Sequence, residues 1–149
     1  MTEPTPALRI STNRDELDVA LIHDFLANHS SWAKGIDLAR VRKSIANSLC
    51  FGGYIDDRQA AFARVISDFA TFANLVDVFV VPAYRGRGYG ARLIETVVAH
   101  PDLQGLRRFT LATADAHGLY ERFGFALPSR PANMMEICVP NIYEIAGLR

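Results

Sequence analysis

75-LVDVFVVPAYRGRGYGARLIETVVAH-100 is the stretch on which the fold turns. Its opening, residues 75–81, is almost wholly apolar and β-branched and is stopped by Pro82, the pattern of a central strand covered on both faces. After Pro82 come Arg85, Gly86, Arg87, Gly88, Tyr89 and Gly90. Beyond them Leu93, Ile94, Val97 and Val98 recur at helical spacing, opposed by Arg92, Glu95 and Thr96. The order is strand, glycine- and arginine-rich loop, amphipathic helix.

That order has a chemical meaning, because the first turn of a helix offers backbone N–H groups without intrahelical partners and the positive end of the helix dipole. It is an anion site. Glycines at alternate positions let the backbone approach a phosphate and reach positive φ where the loop curls, while Arg85 and Arg87 add forked cationic donors. A diphosphate fits such a loop. The plainer alternative is a tight turn whose arginines are merely solvated, and a lone loop of this kind supports it equally. A dinucleotide fingerprint also competes, since Gly86, Gly88 and Ala91 satisfy G-x-G-x-x-A. That fingerprint expects a carboxylate about 20 positions on, and residues 105–111 read GLRRFTL. The P-loop pattern is absent.

The run V-P-A-Y-R-G-R-G-Y-G, residues 81–90, resembles the acetyl-CoA signature of the GCN5-related N-acetyltransferases, with Arg85, Gly88 and Gly90 on its defining positions. A second stretch, Leu119-Tyr120-Glu121-Arg122-Phe123-Gly124-Phe125, resembles that family's LYE-x-x-GF segment and lies at the expected distance downstream. Two motifs in register are far more specific than one. Together they cover residues 76–127; the rest of the chain fits the superfamily without a motif of its own.

Composition sets the frame around them. The chain has 149 residues, half of them hydrophobic, and a formal net charge of zero. One domain spanning 1–149 is expected, with a full core. The charge balance gives no reason to propose a nucleic-acid or membrane-surface partner. The start, MTEPTPALRI, has no basic segment followed by an apolar run, and no window is long enough to span a membrane. A soluble, cytoplasmic protein is expected, with homodimer formation left open. The two cysteines, Cys50 and Cys138, sit in apolar, strand-like runs without metal-ligand spacing and read as reduced core thiols. No metal site is expected.

Along the chain, residues 1–6 read as a frayed tail and 7–11 as a first strand. Thr12 or Asn13 can cap a helix over 14–27 whose buried stripe is Leu17, Ala20, Leu21, Phe25 and Leu26. Residues 28–36 are turn-like yet hold the only tryptophan, Trp32, which reads equally as a core plug or as a wall of an acceptor pocket. A second helix follows over 37–47. Strands over 49–55 and 59–66, joined by Asp56-Asp57-Arg58, form a hairpin. The central strand over 72–81 then leads through the long helix to a fifth strand over 107–113, parallel to it. A short helix over 116–123, a turn over 126–131 and a final strand over 133–139 complete a mixed α/β (α+β) sheet. Its N-terminal strands are antiparallel, and a parallel pair follows them.

The resemblance implies that this parallel pair splays to admit acetyl-CoA as cosubstrate. The pantetheine arm would then lie on the main chain of Val78, Phe79 and Val80. The diphosphate would lie over Arg85, Gly86, Arg87, Gly88, Tyr89, Gly90 and Ala91. It implies N-acetyl transfer to a primary amine of a small molecule or peptide, with Tyr120 protonating the leaving thiolate. The base is either Asp77, a carboxylate in an apolar strand and therefore paired or functional, or His117, whose ordinary pKa suits the task. Where many family members carry an asparagine that contacts the pantetheine, this chain has Thr113, which replaces only part of that bonding. The competing class is a catalytically silent acyl-CoA-binding domain.

Overall fold

The computed structural model of the chain describes residues 4–145. Strands β1 (Arg9–Ser11), β2 (Leu49–Ile55), β3 (Arg58–Ser67), β4 (Phe72–Val80) and β5 (Arg108–Leu111) lie side by side in chain order. The first three pairings are antiparallel and β4 pairs with β5 in parallel. Helices α1 (Val19–His29), α2 (Leu38–Ala46), α3 (Tyr89–Ala99) and α4 (His117–Glu121) surround the sheet. The expected class, a GNAT-like mixed sheet with a splayed parallel pair, is the one observed.

Two cores form because the strands alternate. Phe51, Ala61, Ala63, Val65, Ala73 and Leu75 pack with Leu93, Ile94 and Val97 of α3. On the opposite face Cys50, Phe62 and Phe79 pack with Ile22, Phe25 and Leu26 of α1 and Val41 and Ile45 of α2. In β4 the odd-numbered residues change face between Leu75 and Phe79, which a regular strand of period two cannot do. A bulge makes the change. Arg64 opposes Val76 and Phe62 opposes Phe79, so Ala63 faces both Asp77 and Val78. Asp77 takes the odd backbone geometry, with φ of +54°. Past the bulge Phe79 stacks on Phe25, ring centroids 4.0 Å apart.

The bulge lies where the parallel pair parts. β4 and β5 are in register from Phe72↔Arg108 to Leu75↔Leu111 and no further. Thr110 Oγ1 donates to Asn74 Oδ1 at 3.0 Å and fastens the closed end. Beyond Leu75 the two chains separate toward their C-terminal ends, the place where open α/β sheets bind ligands.

Several expected elements differ in detail. The first helix is two pieces: a 3-10 turn, Arg14–Glu16, capped by Asn13, and then α1, whose N-cap Asp18 accepts from the Leu21 N–H. Asp18 wins because its carboxylate satisfies an orphan donor of α1. β1 begins at Arg9 rather than Ala7, β5 is confined to Arg108–Leu111, and α4 spans only His117–Glu121. The expected strand over 133–139 is absent. Asn133 ends a 3-10 turn and residues 134–139 carry no regular structure and no strand partner, Met135 and Ile137 are fully exposed, and Cys138 is an exposed thiol rather than a core one. Cys50 is buried as expected, and burial pushes its thiol up to about 11. Of the expected frayed tail, Met1, Thr2 and Glu3 lie outside the described residues. Pro6 is tied down, its carbonyl accepting from the Tyr89 hydroxyl at 2.7 Å. Among the described residues no helix is long and apolar enough to cross a membrane, and no cluster of ligating side chains could hold a metal.

Candidate active site

The loop after β4 curls as its glycines predict. Gly86 and Gly88 have φ of +78° and +83°, and a Cβ on either would meet nothing within 4 Å. Their requirement is therefore conformational, and the space above them is open to a ligand. Gly90 is different, being an ordinary helical residue of α3. Gly88 caps α3, and the first bond of that helix runs from the Arg92 N–H to the Gly88 carbonyl. The N–H groups of Tyr89, Gly90 and Ala91 therefore have no partner within the helix. Arg85 Nε donates to the Val80 carbonyl at 2.9 Å, which holds the arginine stem back along β4, and the Arg87 guanidinium stands 6.0 Å over the Tyr84 ring. The Tyr89 side chain is buried with its hydroxyl on Pro6, so of this residue only the backbone can serve a ligand.

The main chain of β4 resolves the three strand residues. Val81 N–H donates to the Ala60 carbonyl at 2.8 Å, which turns Val81 toward β3. By alternation Phe79 also faces β3, whereas the polar groups of Val80 point across the opening toward β5. Phe79 is thus spent on the sheet and on the aromatic core, and Val80, with Val78 beside the bulge, faces the cleft.

On the other bank, Thr113, His117 and Tyr120 line one cavity of about 860 Å³, bounded by β5, α4 and residues 125–134. None of residues 78–91 lines it. Tyr120 is 9% exposed, and its ring meets Phe125 edge-on at 6.0 Å. Its hydroxyl makes no hydrogen bond among the described residues, yet it is not sealed away as the Tyr54 hydroxyl is. Burial pushes the Tyr120 phenol above its ordinary value, which keeps it protonated at neutral pH. The Thr113 hydroxyl accepts from the Ala116 N–H at 3.1 Å and so holds the entry to α4, leaving its own proton to donate. His117 is exposed at the start of α4.

Asp77 turns out to be paired. Its Oδ2 accepts from Arg64 Nε at 2.9 Å and its Oδ1 from Trp32 Nε1 at 2.8 Å, both partners converging on the bulge. Arg64 also donates to Ser48 Oγ at 3.0 Å. Trp32 is 48% exposed and is no core plug; its ring lies 6.4 Å from that of Phe25 and its indole N–H holds Asp77. Residue types alone missed the Trp32–Asp77–Arg64 chain because its members come from three separate segments. An arginine inside the apolar run of β3 was the available signal.

Sheet order, the β4 bulge, the parting of β4 from β5 and the αL-capped helix after β4 together form an open cleft with the first turn of α3 at its mouth. The chain belongs to the GNAT acetyltransferase family, whose domain model matches residues 46–127. A Xanthomonas campestris protein of the GNAT family, described as an acetyltransferase, is similar at 57% identity. That match covers 95% of this chain and all of that one, with a TM-score of 0.93. A Gibberella zeae protein named as an acetyltransferase is 28% identical over 133 residues, 74% of each chain. A Clostridium acetobutylicum protein crystallised with acetyl-CoA shares the fold at 13% identity, TM-score 0.64, over 89% of this chain and 95% of that one.

Proposed function

We propose that the protein moves the acetyl group of acetyl-CoA to a primary amine of a small molecule or peptide by direct attack in a ternary complex. One observation carries this reading: the unpartnered N–H groups of Tyr89, Gly90 and Ala91, behind two positive-φ glycines, open onto the place where β4 leaves β5. The residues fit the group. The first turn of α3 and the Gly86–Gly88 backbone would hold the diphosphate, with Arg87, and with Arg85 once freed from Val80, adding charge. Val78 and Val80 would pair with the pantetheine arm as an extra strand does, and the Thr113 hydroxyl can donate to it.

Acetyl-CoA supplies a thioester carbonyl and a thiol leaving group with a pKa near 8.5. The Val80 N–H, directed into the cleft, donates to the carbonyl oxygen as it gains charge. His117 takes a proton from the incoming ammonium, and the amine lone pair then forms the C–N bond as the C–S bond breaks. The nitrogen releases its second proton to water, from which Tyr120 is later reprotonated. Tyr120, kept protonated by its burial, delivers its proton to the sulfur. Asp77, engaged on both oxygens, acts as a strut for the bulge and for Trp32 rather than as the base. Thiol release from acetyl-CoA across a panel of amines tests the proposal. Amine-dependent release matched by acetylated product is expected. CoA binding with no release for any amine indicates the silent binding domain, and preference for NADP over CoA contradicts the reading altogether.

A further inference from the structure

The sheet face that α1 and α2 cover is covered only in part. The alternation that sends Ala63, Val65, Ala73 and Leu75 into the α3 core sends Arg64, Ile66, Phe72, Asn74 and Val76 to the other face. There the helices bury Cys50, Phe62 and Phe79. Toward the closed end of the parallel pair they bury nothing more: Ile66 is 44% exposed, Phe72 is 41% exposed and Val76 is only partly buried. These side chains form one row, since Val76 opposes Arg64 and Asn74 opposes Ile66. Half-exposed Trp32 heads the row, held on Asp77 beside Val76. Its N–H is committed to that carboxylate, so the face it offers outward is apolar. Arg108, opposite Phe72, ends the row as an exposed cation without an ion pair among the described residues.

We propose that this row seats the acceptor and that the acceptor is the N-terminus of a polypeptide, its α-amine at Val80 and its following apolar residues laid over Trp32, Val76, Ile66 and Phe72, with a carboxylate further along against Arg108. This rests on the acetyltransferase reading above. Length favours a chain. β4 runs nine residues from Phe72 to Val80, about 26 Å at about 3.3 Å a step, and a small amine at Val80 would leave almost all of the row bare. Apolar ground of this extent beside a reaction cleft is the mark of a surface that is covered in use. Direction favours an end of the chain. Past Val80 lie the positive-φ glycines and the first turn of α3, which serve the cofactor, so a peptide extends from the cleft only toward Phe72. A lysine in mid-chain has chain to place on both sides; an α-amine does not.

The base agrees with this choice. Asp77 is held by Arg64 and Trp32, which leaves His117. An imidazole takes a proton far more readily from an α-ammonium, with a pKa of about 7.7 to 8.0, than from an alkylammonium at about 10.4. Charge is complementary as well. Arg64 neutralises Asp77 at the head of the row, and the one charge left unanswered along it is the Arg108 cation.

Tryptophan fluorescence and thiol release together test this. Trp32 is the only tryptophan of the chain, so its emission reports on the row whether or not chemistry follows. The probe is an octapeptide with a free α-amine, apolar residues at its second to fifth positions and glutamate at its seventh. Its controls are the same peptide with serines in place of the apolar residues, and the same peptide with a blocked α-amine and one internal lysine. With CoA bound, the octapeptide should shift the emission saturably and the serine peptide should not; with acetyl-CoA, the product should carry its acetyl group on the α-nitrogen. The double variant Ile66→Ser/Phe72→Ser, whose side chains are already half in water, should fold and bind CoA as the wild type does. It should raise KM for the octapeptide at least about tenfold, with a much smaller change in kcat. Equal use of the lysine peptide, or a KM indifferent to the double substitution, overturns the proposal while leaving acetyl transfer intact. If no amine releases thiol, the acetyltransferase reading fails by itself and the emission decides: a shift lost in the double variant supports the row as a peptide seat, and no shift overturns it.

Discussion

Replacing Tyr120 by Phe removes one oxygen and its proton, and the structure says what else that oxygen does. It makes no hydrogen bond among the described residues and is not sealed from the cavity, while its ring is held by burial and by Phe125. Losing an ordinary hydrogen bond would cost about 1 kcal/mol, or roughly 2 to 4 °C in melting temperature for a domain of this size. With none to lose, Tyr120→Phe should shift the melting temperature by less than about 2 °C. CoA affinity should be similarly unmoved. Turnover is another matter, because general acid help is worth roughly 10² to 10⁴-fold. A thiolate whose conjugate acid has a pKa near 8.5 leaves readily, which puts the expected loss near the lower end, about 10²-fold. The assay is thiol release with whichever amine proves competent, beside calorimetric CoA titration and a thermal melt. Full turnover combined with several degrees of lost stability would refute the reasoning, making the hydroxyl structural.

Gly88→Val should weaken CoA binding at least tenfold by calorimetry. The cause is the +83° φ, which costs a β-branched residue about 1 to 3 kcal/mol, and not a clash within the apo protein; Gly88→Asn should be milder, and equal losses for both would contradict this origin. Arg64→Leu leaves the largely buried Asp77 carboxylate without its cation, so about 3 to 5 kcal/mol, roughly 10 °C in melting temperature, should be lost and partly regained by adding Asp77→Asn. Asp77→Asn alone should keep turnover within a few-fold, whereas a hundredfold loss would restore Asp77 as the base. Asp68 should govern acid sensitivity of the β3–β4 turn. The Thr71 hydroxyl, then the N–H groups of Thr71, Ala70 and Phe72, donate to its carboxylate and hold it well below the usual carboxylate range. A carboxyl depressed in the folded state stabilises fully above its unfolded pKa of about 3.9 and loses that contribution as pH falls through the folded value. The melting-temperature gap between wild type and Asp68→Ala should therefore be constant near neutrality and narrow below about pH 4; a gap that widens in acid would contradict the sign.

The strand, loop and helix around Pro82 were legible because each rests on local rules: β-branched runs, glycine φ and helical spacing. The same rules place β2, β3 and α2 within a residue or so. What pattern could not supply depends on contacts between distant segments. Asp77 read as either paired or functional, and pattern could not decide between the two because Arg64 and Trp32 meet it only through the fold, and the bulge that brings them together is a register event, visible only once β3 and β4 are aligned. Phe79 and Val80 are indistinguishable as sequence, and pairing with β3 alone separates the one spent on the sheet from the one facing the cleft. Tyr89 looked like part of the phosphate loop, yet its ring belongs to the core. The strand expected over 133–139 has the right composition and no neighbour, since a strand exists only when another pairs with it.

Amide chemical-shift mapping during an acetyl-CoA titration tests the central claim most directly, since it needs no acceptor. The largest and earliest changes should fall on Val78, Val80, Gly86, Arg87, Gly88, Tyr89, Gly90 and Ala91, with Thr113 following on the opposite bank. Changes confined to the groove of residues 107–113 and 126–134, or none at millimolar acetyl-CoA, would contradict the assignment of the α3 N-terminus and the open end of β4 as the cofactor site.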